Sequence, residues 1–173
     1  MTTLRKILIM TVLVALPLGL AFSGKAAKGP GKPGKAVVVK KWVLQDMKKF
    51  VNKTYLLLKH AKAVVKEGKV YTGKLAKAIA HQTYAKTLWK KKMYLKAVYQ
   101  SKFARILAIG AIKANKKPVP KDLDFSKEEL TPIDPETPPS DADLEQEVQK
   151  EMPDFEYDDT VQVSLEINLE VED

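Results

Sequence analysis

Residues 38–66 read VVKKWVLQDMKKFVNKTYLLLKHAKAVVK, and this stretch decides the fold. Val39, Val43, Met47, Phe50, Thr54, Leu57, Ala61 and Val64 recur at steps of four and three, the spacing that lines side chains along one face of an α-helix. Trp42, Val51, Leu58 and Val65 widen the stripe into a face that needs a partner, while the lysines at 40, 41, 48, 49, 53, 59, 62 and 66 lie largely off it. Glu67-Gly68 closes the helix, with the glycine expected to supply a left-handed cap.

Two further helices follow. Thr72 is the expected N-cap of the second, whose inner face is Leu75, Ala78, Ile79, Gln82, Ala85 and Trp89. Lys90, Lys91 and Lys92 close it, cations placed where the helix dipole is negative. In the third, from about Met93 to Ala114, Ala97, Ser101, Ala104, Ala108 and Ala111 form a stripe of small side chains, with Val98, Ile109 and Ile112 broadening it. Small side chains let another helix approach closely. Asn115-Lys116-Lys117-Pro118 stops the helix.

The segment from Ala78 to Ala111 resembles one tetratricopeptide repeat, a 34-residue helical hairpin. With Ala78 in first position, Ala85 takes the small-residue site of the first helix and Tyr94 the turn aromatic. Ala97 and Ala104 take the two alanines of the second helix, with Val98 beside the first. His81, Tyr84, Ser101 and Ile109 depart from the pattern, and the sequence shows one copy. The resemblance implies antiparallel packing of the second and third helices.

The ends of the chain are different polymers. Residues 1–6 carry Arg5 and Lys6, residues 7–22 are apolar apart from the breakers Pro17 and Gly19, and Ala21-Phe22-Ser23 offers small residues to a peptidase. This is the pattern of a cleavable secretory signal over residues 1–23, too short for the roughly 20 apolar residues of a spanning helix. It predicts an exported protein, periplasmic or extracellular, cut near Ser23-Gly24. Residues 24–37 read as a flexible basic linker. Residues 118–159, rich in proline and acids, are expected to be disordered, with at most a short helix near residues 141–150. In residues 160–173, Val161, Val163, Leu165, Ile167 and Leu169 alternate with polar residues, which predicts one β-strand. The expected fold is therefore mainly α: an antiparallel hairpin within a three-helix basic domain over residues 38–117, an acidic Pro-rich tail, and a C-terminal strand.

Charge is the strongest functional signal. The net +9 conceals two opposed halves. Residues 24–121 hold 26 lysines and arginines against two acids, a net +24; residues 122–173 hold 19 acids against two lysines, a net −17. Lys40, Lys41, Lys48, Lys49, Lys90, Lys91, Lys92 and Lys96 gather near helix ends, interleaved with Trp42, Tyr55, Tyr71, Trp89, Tyr94 and Tyr99. Basic residues among aromatics suit a polyanion. Lysine is a point charge without the guanidinium fork that reads bases, so no specific nucleic-acid recognition is expected. The predicted partner is an anionic polymer or anionic membrane surface, with the acidic tail as a tethered mask and the C-terminal strand as a further route to a protein partner.

Catalysis has little to stand on. There is no cysteine. Neither His60 nor His81 has a carboxylate or a second histidine three or four positions away, so neither reads as a metal ligand or general base; both are expected at a helix surface or boundary. The sequence has no Gly-x-Ser-x-Gly elbow and no phosphate-binding glycine loop after a strand. Asp154, Glu156, Asp158 and Asp159 are dense, but the acidic half has no glycine to fold them into a calcium loop. A non-enzymatic binding and structural role without a cofactor is the expectation. A helical adaptor that docks a partner through its hairpin groove is the alternative.

Overall fold

The computed structural model describes residues 42–131 and 138–172. The predicted signal, the basic linker, Lys40 and Lys41 lie outside the described residues. Five helices occur among the described residues: α1 (Leu44–Gly68), α2 (Lys74–Lys90), α3 (Tyr94–Ala114), α4 (Asp141–Glu151) and the single turn α5 (Asp159–Gln162). The first three run up, down and up through short connections, each packed on the other two. The acidic helices α4 and α5 lie against α2, and α4 also touches α3.

The faces read from the sequence are the faces that pack. Phe50, Thr54, Leu57, Ala61 and Val64 of α1 are buried, as are Val51, Leu58 and Val65 beside them. Val43 is the exception at 55% exposure, because it precedes the helix as its N-cap residue. Ala97, Ser101, Ala104, Ala108 and Ala111 of α3 are all essentially inaccessible, so the small stripe is where α3 meets its neighbours. Side chains of this size lose little rotamer freedom and let backbones approach closely.

Two caps differ from expectation. The left-handed residue after α1 is Lys69 (φ 56°), not Gly68. Gly68 is needed for another reason: a Cβ there would collide with the Asn115 side chain. That side chain pairs with the backbone of Val70 in both directions, at 3.1 Å each way. It closes the α1–α2 loop onto the end of α3. Thr72 is also not the cap of α2; Gly73 holds that position with φ 74°. The Asp159 carboxylate, 83 or more residues away in sequence, accepts from the amides of Thr72 (2.8 Å), Gly73 (2.7 Å) and Ala76 (2.7 Å). An anion at a helix N-terminus satisfies orphan donors and complements the dipole.

The described residues of the acidic half, 122–131 and 138–172, thus fold against the helices, where a disordered tail was expected over residues 118–159. Ser140 and Asp143 form a capping box on α4, whose Leu144 and Val148 are buried. Composition hid this because the folded-back chain is held by charges on other elements. Nor do residues 160–172 form a strand. One helical turn is followed by an extended run, and no β-ladder occurs among the described residues. Leu169 and Val171 are buried while Asn168, Glu170 and Glu172 are exposed, so over these last residues the alternation reports alternating burial. Its backbone partners are side chains of α1 and α2, for example Asn52, which accepts from the Val171 amide at 2.8 Å and donates to the Val171 carbonyl at 3.1 Å.

The most consequential side chain is Arg105 of α3, fully buried. Its Nε donates to Thr54 Oγ1 at 3.0 Å and its Nη2 to the Phe50 carbonyl at 2.7 Å. The guanidinium lies 4.0 Å from the Phe50 ring centroid and 5.1 Å from that of Phe125. Glu129, from the acidic half, approaches its Nη1 at 3.2 Å. Burial pulls the Arg105 pKa down and Glu129 holds it up. Removing one member of a buried pair leaves an uncompensated charge at a cost of about 3–5 kcal/mol. Because the Glu129 side chain is 15% exposed, Glu129→Ala should lower stability by about 3 kcal/mol, read by urea denaturation. A loss below about 1 kcal/mol would mean that water replaces the carboxylate.

Candidate functional site

The basic residues divide between two places. Lys48 and Lys49 lie on α1, Lys48 half-buried and Lys49 exposed. Lys49 borders a concavity shared with Trp42, Phe50 and the acidic Glu128 and Glu129. Lys90, Lys91, Lys92 and Lys96 are exposed around the α2–α3 turn. Lys92 takes the left-handed conformation there (φ 62°), and the Met93 amide donates back to the Leu88 carbonyl at 2.9 Å.

That turn builds the candidate site. It sets Trp89, at the end of α2, against Tyr94, at the start of α3, with ring centroids 4.8 Å apart in an edge-to-face arrangement. Lys86, one turn earlier on α2, joins Lys90 and Lys92 around the pair. The resulting concavity, of about 330 Å³, is bordered on its other side by Glu170, Val171 and Glu172. Trp89 Nε1 donates to the Glu172 carbonyl at 3.0 Å, and Lys86 Nζ to the Asn168 carbonyl at 2.8 Å. The Trp89 indole N–H and Lys86 therefore already hold the backbone of a segment that carries Glu170 and Glu172. Sequence reasoning found Lys90 and Lys92 but missed Lys86; the i, i+4 spacing of Lys86 and Lys90 was the available signal.

The expected strand residues scatter in role. Val163 and Leu169 are buried, Ile167 is half-buried, and Val161 and Leu165 are 37% and 47% exposed. The tail's other acids form pairs with the basic helices: Lys77 with Glu145, Lys96 with Glu147 at 3.4 Å, and Lys53 with Glu129 at 3.1 Å. Such partly exposed pairs contribute roughly 0–1 kcal/mol each. The Glu129 carboxyl differs. Burial opposes its ionisation, but the Ser126 amide, Arg105 and Lys53 together hold it below the usual carboxylate range.

His81 is the clearest departure from expectation. It is 1% exposed, on the side of α2 that packs against α3. Its Nδ1 donates to Gln100 Oε1 at 2.7 Å, and Gln100 Nε2 donates to Glu147 Oε2 at 3.0 Å. The Phe103 ring stands edge-on at 4.7 Å. Tyr84 reaches the same Glu147 at 3.2 Å, and burial, then that carboxylate, pushes its pKa up to about 12. No reactive group emerges from this chain of contacts; it ties α2, α3 and α4 together. Among the described residues, no three histidine, cysteine, aspartate or glutamate side chains gather as a metal site would require. No helix among them is long and apolar enough to cross a membrane. Comparison with protein-family models, with curated proteins and with solved structures finds no match.

Burial, partly offset by Gln100, Glu145 and Asp141 and reinforced by Lys77, lowers the His81 pKa below 6.5. A histidine kept neutral by the fold takes up its proton in the unfolded chain first. Stability is then full above the unfolded pKa and falls as pH drops through about 6.5. Urea midpoints should decrease between about pH 7 and pH 5, before carboxylates such as Glu129 titrate. His81→Gln should flatten that slope. An unchanged slope in the variant would place the pH dependence elsewhere.

Proposed function

We propose that this is an exported, non-enzymatic binding protein whose lysine-rich helical face engages anionic polymers or anionic membrane surfaces of the envelope or extracellular matrix. Its acidic half partly masks that face. The observation that carries the reading is the α2–α3 turn, where Lys86, Lys90 and Lys92 surround Trp89 and Tyr94 while Glu170 and Glu172 lie along the rim. An anionic segment resting on a basic and aromatic concavity is the arrangement a competing polyanion would replace. Residues 1–23 supply the route of export in this reading, and the tetratricopeptide-like hairpin is the scaffold that holds the turn.

The recognition is electrostatic. Lysines neutralise anionic groups by releasing their counterions, so affinity falls linearly on a logarithmic salt scale. Aromatic faces add contact without demanding a particular sequence or sugar. The mask works through tethering, since a segment held beside its site acts at about millimolar effective concentration.

Heparin and vesicles containing anionic lipid, titrated against the full chain at about 0.1 M and 0.3 M salt, test this. Glu170→Gln with Glu172→Gln should raise affinity about threefold to tenfold, since it removes two negative charges that border the same concavity as the lysines. Lys90→Glu with Lys92→Glu should lower affinity by tenfold or more and reduce the salt slope by about two. Equal binding by wild type and the lysine variant would overturn the assignment of the site.

A further inference from the structure

The extended run of residues 167–172 lies between α1 and α2, and each helix contributes donors to its backbone. From α1, Asn52 engages both the amide and the carbonyl of Val171, and Tyr55 Oη donates to the Ile167 carbonyl at 3.2 Å. From α2, Lys86 and Trp89 reach the carbonyls of Asn168 and Glu172. Contacts to backbone atoms hold an extended chain whatever its side chains are. Side-chain selection comes from two places two residues apart: Leu169 and Val171 are 7% and 2% exposed against the core. The acids between and after them, Glu170 and Glu172, face the basic rim.

We propose that this groove is a peptide-binding site for an extended segment of another protein with the pattern apolar-acidic-apolar-acidic. The chain's own residues 167–172 are the resident competitor. Two observations favour exchange. Ser164, Leu165 and Glu166, just before the run, are exposed. Just upstream, α5 is fixed separately, its Asp159 capping α2. The run can therefore leave without the buried caps or the Arg105–Glu129 pair being broken. Reading a backbone by side-chain donors while pockets select alternate side chains parallels strand addition, with helices in place of a sheet edge. The inference shares Lys86 and Trp89 with the polyanion reading but depends on apolar anchors and on Asn52, so salt separates the two: it weakens polyanion binding and leaves peptide binding in place.

A fluorescently labelled peptide of residues 163–172 is the probe. In the full chain carrying Leu169→Asp and Val171→Asp the resident run no longer fits, and the groove opens. Anisotropy should show the probe binding this variant at least tenfold more tightly than the wild-type chain. The binding should persist at 0.5 M salt, where a purely electrostatic contact fades. Asn52→Ala in the opened chain should weaken it tenfold or more, and a scrambled peptide of the same charge should not bind. Equal binding of the scrambled peptide, or no gain on opening in a variant that still melts cooperatively, would overturn the proposal. Hydrogen exchange on the wild-type chain gives a test that needs no substitution. Millimolar unlabelled peptide should displace the resident run and speed exchange of the chain's own Val171 amide, now bonded to Asn52; an unchanged rate would also overturn it. A wild-type dimer that grows with concentration and loses its mass on adding peptide would make a second copy the occupant and refute a foreign partner.

Discussion

A guanidinium with no exposed surface sits among the helices, and the rest of the molecule is arranged around its charge. Arginine does not lose its proton in proteins, so Arg105 must be compensated where it stands. Thr54 and the Phe50 carbonyl satisfy two of its nitrogens from α1, and the Phe50 and Phe125 rings offer their electron-rich faces. None of these carries a full negative charge. Among the described residues, the carboxylate in contact is that of Glu129, which belongs to the acidic half. Asp159 repeats the logic with the sign reversed: a buried carboxylate from the acidic half finds the amides of α2. The helical domain and the acidic segment therefore each supply what the other's buried groups lack.

This explains which parts of the fold are legible in the sequence. α1, α2 and α3 announce themselves because their packing faces recur at helical spacing within a single window. The small stripe of α3 even marks the side on which it is enclosed. The folding of the acidic half is written in single residues, Glu129 and Asp159, whose partners lie 24 and about 86 positions away. By composition these residues match any other acid in a proline-rich segment. The period-two pattern of residues 161–171 matches alternate burial only over residues 167–172, since Val161 and Leu165 are exposed and Gln162 is buried, and no β-pairing accompanies it among the described residues. Periodicity encodes which side chains are inside, whereas a ladder depends on a neighbour that no local pattern specifies.

The candidate site was half legible for the same reason. Lys90 and Lys92 stand out as a run, but Lys86, Asn52 and Tyr55 acquire meaning only when residues 167–172 are laid across α1 and α2. His81 lies outside the α2 inner face read from the sequence, yet in the fold it packs between α2 and α3, bonded to Gln100 and edge-on to Phe103. Buried polar groups of this kind fix one arrangement of helices more firmly than apolar contacts alone.

The acids of the second half are graded in how firmly they are held, and the grading limits what a ligand can displace. Glu129 and Asp159 are held by buried partners, where losing one member costs several kcal/mol. Glu145 and Glu147 pair with lysines at the edge of α4, where each contact contributes a few tenths to about 1 kcal/mol. Glu170 and Glu172 are exposed on the rim of the α2–α3 turn. An external anion of ordinary affinity supplies roughly 8 kcal/mol at micromolar strength, and most of that is consumed if it must expose Arg105 or uncap α2. Under the proposed function, competition with the acidic half is therefore confined to its last residues. The inner acids stabilise the fold, and only the outer ones could be exchanged at so small a cost.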